Sequence, residues 1–106
     1  MREYVDAWEF DVRPEKASDF ERAYGADGDW TTLFRRAEGY VGSLLLRDRS
    51  VAHRYLTVDR WRSEEDYARF RERFAEEYRA LDERCRDLTL HERQLGTYDV
   101  PAREES

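Results

Sequence analysis

Asp6 is the residue whose setting most pointedly suggests chemistry. It lies in EYVDAWEFDV, residues 3–12, where alternation places it on one face with Tyr4, Trp8, Phe10 and Val12. An isolated carboxylate among such side chains is costly unless it is paired or hydrogen-bonded. Burial also raises a carboxyl pKa toward the range useful to a general base. The plainer reading is an ion pair with one of the chain's eighteen arginines. His91 is a second candidate base, because imidazole titrates near neutrality; a hydrogen-bonded structural histidine is its alternative. His53 and His91 are not spaced as a metal pair, and a lone cysteine, Cys85, cannot complete a zinc site. Asp27 and Asp29 flank Gly28 without the other ligands of a calcium loop, so they read as an acidic turn. There is no G-x-S-x-G, P-loop or dinucleotide fingerprint. Neither a metal nor a cofactor is expected.

The elements that must position these groups follow from periodicity. WRSEEDYARFRERFAEEYRALDERCRDL, residues 61–88, repeats apolar side chains at Tyr67, Phe70, Phe74, Tyr78, Leu81, Cys85 and Leu88. Steps of three and four make one face of a helix, and Arg, Glu and Asp fill the other. Ser63 with Asp66 three residues on reads as its N-cap. Residues 3–12 read as a strand. Pro14 opens a helix with Ala17, Phe20 and Tyr24 as its stripe and Gly25 as its cap. Trp30, Leu33 and Phe34 indicate a short helical turn closed by Gly39. Strands are expected at about 40–48, 53–61 and 89–98, the first two forming a hairpin.

This order, β-α-β-β-α-β, is the split arrangement of a ferredoxin-like α+β fold. Right-handed crossovers put strands one and three at the centre of an antiparallel sheet, with the helices on one face. Both faces of strand three are apolar, Tyr55 and Trp61 on one side and Leu56 and Val58 on the other. A second copy of the sheet is the simplest cover for the free face, so a homodimer through sheet faces is expected.

The 106 residues allow one domain, over residues 1–100, with a polar tail at 101–106. The net charge of −6 and the interleaved signs argue against nucleic-acid binding. Cys85 lies on the apolar stripe and reads as a buried structural thiol, which fits a reducing compartment. With no signal-peptide pattern and no apolar run near the length of a span, a cytoplasmic protein without membrane contact is expected.

Three segments carry a family resemblance: FERAYGADGDWTTLF (20–34), GYVGSLLLRD (39–48) and YLTVDRWRSEEDYARF (55–70). With the aromatic-rich first strand they cover nearly the whole chain, which resembles the antibiotic biosynthesis monooxygenase-like family of the dimeric α+β barrel group. Enzymes of that family oxygenate aromatic polyketides without metal or flavin, or cleave haem. The resemblance implies a site between sheet and helices, with Trp61 matching the tryptophan that closes strand three. Tyr67 faces the same region and is placed to hydrogen-bond a phenolic substrate. The family's oxygenases are expected to use an Asn near strand three, where this chain has Thr57. The haem-cleaving set of Asn, Trp and His is not matched either, because the chain has no Asn and carries Arg71 where that His is expected.

The reading that follows is a cofactor-independent monooxygenase acting on a small aromatic or polyketide-type molecule. Asp6 or His91 is the expected base, and Tyr67 the expected oxyanion donor. Trp61, Trp8, Tyr24, Tyr55 and Phe70 are the expected substrate-binding walls. The alternatives are a non-catalytic dimer of the same fold, binding a small apolar ligand or serving assembly, and a pocket filled by its own aromatics.

Overall fold

Residues 2–101 are described by a computed structural model. Pro101 is the only part of the expected polar tail within them; 102–106 lie outside the described residues.

Alternation along β1 (Tyr4–Val12) sends Tyr4, Asp6, Trp8, Phe10 and Val12 toward the helices. β1 pairs antiparallel with β3 (Arg54–Trp61) on one side and β4 (Thr89–Asp99) on the other, and β2 (Tyr40–Arg47) flanks β3. The order β2-β3-β1-β4 puts strands one and three at the centre. The fold is the ferredoxin-like α+β arrangement.

Four helices cover one face: α1 (Ala17–Tyr24), α2 (Asp29–Phe34), α3 (Glu64–Arg73) and α4 (Ala75–Cys85). A 3-10 turn at Pro14–Lys16 leads into α1. The single helix expected over 61–88 is corrected to two helices and a 3-10 turn at Arg86–Leu88. Phe74 breaks it, with φ −109 and ψ 29. The stripe survives the break because backbone hydrogen bonds from Phe74 N–H to Phe70 O and from Tyr78 N–H to Phe74 O keep the helical phase. Its aromatics pack with Trp61, Leu33 and Phe34 into the main core. Phe10, Val12, Phe20 and Tyr55 form a second cluster beside it.

The N-terminus of α3 is capped as the sequence indicates, Ser63 Oγ accepting from Asp66 N–H at 3.1 Å. The Asp66 side chain is buried between Arg62, at 2.6 Å, and Arg69. These guanidinium groups hold its carboxyl below the ordinary range, the Arg62 hydrogen bond most strongly. Gly39, with φ +93, lies against this carboxylate, and its carbonyl accepts from Arg62 N–H. A left-handed backbone there suits glycine and lets the loop into β2 close on the α3 cap.

Among the described residues no helix lies on the opposite face of the sheet. Leu44, Leu46, Leu56, Val58 and Tyr98 share it through the strand register, and Leu44 and Tyr98 are 57% and 51% exposed.

Candidate functional site

Strand register builds the site in transverse rows on the helix-covered face. One row runs Ser43, Asp59, Asp6, Thr97 from β2 to β4. The next runs Leu45, Thr57, Trp8, Gln94. Above these rows, beneath the helices, is a cavity of about 270 Å³. Its floor carries Asp6, Asp59, Trp8, Thr57 and Ser43. From α1 and α2 come Tyr24, Trp30 and Phe34; from α3 come Tyr67 and Arg71; from α4 come Tyr78 and Asp82.

Asp6 is 5% exposed, yet neutral donors serve it where an arginine is the simpler expectation. Its Oδ1 accepts from Gln94 Nε2 at 2.8 Å and its Oδ2 from Trp8 Nε1 at 3.3 Å. Asp59 is its direct cross-strand partner. Asp59 Oδ1 accepts from Ser43 Oγ at 2.6 Å, and Ser43 is in turn 2.7 Å from the Tyr40 hydroxyl. Burial pushes the Asp59 carboxyl up to about 6, the Ser43 hydrogen bond opposes this, and the charge of Asp6 adds to it. At neutral pH such a group is mostly ionised and remains basic enough to take a proton.

Across the cavity, Arg71 Nη1 donates to the Tyr67 hydroxyl at 3.1 Å and its guanidinium stacks 3.9 Å from the Tyr78 ring centre. Burial pushes the Tyr67 and Tyr78 phenols up, so both stay protonated at physiological pH. The arrangement therefore sets an acceptor pair on the sheet against a cation and a phenol on the helices. Trp8, Tyr24, Trp30, Phe34 and Tyr78 supply aromatic walls around them.

Asp6, Trp8, Tyr24 and Tyr67 meet at this cavity. Trp61, Tyr55 and Phe70 do not line it. Trp61 is 0% exposed, enclosed by Phe34, Tyr40, Tyr67 and Phe70, and its indole N–H has no partner among the described residues. Tyr55 is buried in the second cluster and donates to Glu21 at 2.5 Å. Phe70 packs between Phe34 and Phe74 in the main core. His91 pairs with Asp11 on the helix-free face, across the sheet from the cavity. Asp59 is the residue that reading the sequence missed. In YLTVDRW it has the same phase as Tyr55 and Trp61, the signal that singled out Asp6. Among the described residues no group of three or more His, Cys, Asp or Glu side chains is arranged to hold a metal ion.

A four-stranded antiparallel sheet covered by helices on one face, with a cavity between, defines the class as ferredoxin-like. Residues 4–84 match the family model for antibiotic biosynthesis monooxygenase, and the chain belongs to that family. Solved structures share the fold. A Bordetella bronchiseptica protein given the same family name superposes with a TM-score of 0.78 at 18% identity, covering 96% of this chain and 100% of that one. SnoaB, a cofactor-independent oxygenase from Streptomyces nogalater, gives 0.65 at 21% identity, with 96% of each chain covered. A dimeric ferredoxin-like protein from an uncultured marine organism gives 0.69 at 14% identity, over 96% of this chain and 90% of that one. No match was found among curated proteins.

Proposed function

We propose that this chain is a cofactor-independent monooxygenase acting on a small electron-rich aromatic molecule with an activated methylene, bound in the cavity between sheet and helices. The observation that carries the reading is Asp59, a carboxylate served among the described residues by a hydroxyl donor, raised by burial and lining an aromatic-walled cavity. Its Oδ2, which has no hydrogen-bond partner among the described residues, accepts a proton from the methylene. The resulting carbanion passes one electron to O2, and the radical pair collapses to a C–O bond. The Asp59 proton returns to the peroxide, and loss of water leaves a carbonyl. One O2 is consumed, one oxygen atom enters the product and the other leaves as water. Arg71 and the Tyr67 hydroxyl face the oxyanion that develops when the substrate is deprotonated. Thr57, at the position of the family's expected Asn, lines the floor as a neutral neighbour, so base duty falls to the carboxylates. The family membership and the oxygenase named among the structural neighbours support the reaction class.

Oxygen uptake by chelator-treated protein with anthrone-like substrates tests this. Uptake should rise with pH about an inflection near 6. Asp59→Asn should lower it about 10²–10⁴-fold, the usual worth of a general base. Undiminished turnover in that variant, or no uptake across the panel, sinks the proposal.

We also infer that the helix-free sheet face is covered by a second copy of this chain. The apolar side chains on that face, with Leu44, Leu46 and Tyr98 exposed and Leu56 and Val58 half-buried, support it, as does a dimeric protein of the same fold. The buried lone thiol of Cys85 fits a reducing, cytoplasmic setting.

A further inference from the structure

The cavity has a strong sign asymmetry that the proposed oxygen chemistry does not explain. Asp6, Asp59, Asp82 and Glu92 line it, against one guanidinium, Arg71. Arg71 is already engaged, donating to Tyr67 and stacked on Tyr78. The two floor carboxylates face each other directly across the β1–β3 ladder, an arrangement that like charges disfavour. Their donors are an amide, an indole and a hydroxyl, all neutral. Hydrogen bonds from neutral groups steady each carboxylate but leave the charge of the pair uncompensated. Asp6 Oδ1 and Oδ2 each have further acceptor capacity, and Asp59 Oδ2 has no partner among the described residues. Trp8, Tyr24 and Trp30 line the same cavity, and aromatic rings attract a cation by their quadrupoles.

We propose that the cavity recognises an amine-bearing aromatic, with its ammonium group seated between Asp6 and Asp59 and its rings against the aromatic walls. A carboxylated aromatic is repelled by the same floor, and a neutral isostere leaves the pair uncompensated. This rests on the cavity of the proposed oxygenase being the ligand site, and it assigns the substrate's charge. The ammonium depends on the charge of both carboxylates, Asp6 held by two donors and Asp59 by one.

Calorimetric titration of the full chain with tryptamine, tryptophol and indole-3-propionate separates the possibilities, since the three share an indole and differ in charge. Tryptamine should bind at least about tenfold more tightly than tryptophol, the scale of one compensated charge pair partly screened by water. Indole-3-propionate should bind most weakly. Asp59→Asn and Asp6→Asn, each with unchanged circular dichroism, should both erase the preference for tryptamine. Equal binding of tryptamine and tryptophol, tighter binding of the acid, a preference that survives both substitutions, or no binding by any of the three overturns the proposal. Oxygen uptake on neutral phenols with no amine preference would overturn this inference and leave the oxygenase. Selective amine binding without uptake on any substrate would do the reverse.

Discussion

Asp59 is disfavoured where it stands, and its cost should be measurable apart from any activity. Its folded pKa of about 6 exceeds the ordinary 3.8, so the folded chain holds a proton there that the unfolded chain has released. Stability therefore falls as pH rises across that window, and the fold is weaker above it by on the order of 2–3 kcal/mol. Asp59→Asn has no such decline. Urea unfolding should show the variant gaining over the parent between about pH 4 and pH 7, and a constant difference would contradict the assignment. Asp66 should behave oppositely. Its carboxyl is lowered by Arg62 and Arg69, so its contribution is present above the unfolded pKa and lost as pH falls through the folded one. Half of the carboxylate pair was legible in the sequence. Asp6 stands out because its neighbours in alternation, Tyr4 and Trp8, are both aromatic, whereas those of Asp59 are Thr57 and Trp61, and the polar Thr57 weakens the same signal. That the two are opposite each other is a matter of register, which no single strand encodes.

At the level of elements, the loop into β2 approaches the α3 cap closely. A Cβ on Gly39 would come within 2.5 Å of Asp66 Oδ2, on a backbone with φ +93. Gly39→Ala should cost roughly 1–3 kcal/mol, read from the shift in urea midpoint, because strain and clash act together. Ser63→Ala should cost about 1 kcal/mol through the lost cap. The cap was readable, since Ser63 and Asp66 have the spacing that cap chemistry requires. The break at Phe74 was not. The stripe runs in phase through both α3 and α4, so periodicity reports one helix, while the break resides in the backbone angles of one residue. That break matters for the site, as Tyr67 and Arg71 reach the cavity from α3 and Tyr78 and Asp82 from α4.

For the whole molecule, order and length of the periodic segments were enough to give the strand arrangement, because right-handed crossovers leave few alternatives. Which face lies under the helices was not readable, since both faces of β3 are apolar; packing of Phe10, Val12 and Tyr55 against Phe20 decides it. The face left over should behave as an interface. Leu44→Glu should shift the light-scattering mass to that of a monomer and remove any dependence of melting temperature on protein concentration. A parent protein already monomeric would refute the dimer. Trp61 was expected at a pocket wall through family resemblance, and it is instead the best-enclosed indole of three. Trp61 is fully buried among rings, whereas Trp8 and Trp30 line the cavity. The chain thus carries two kinds of optical probe in one molecule. Excited indoles in an apolar shell emit toward the blue and are sheltered from collisional quenchers such as acrylamide, so Trp61 reports whether the core is intact. Trp8 and Trp30 should change intensity when a ligand enters, and Trp61→Phe would leave a signal that follows occupancy alone.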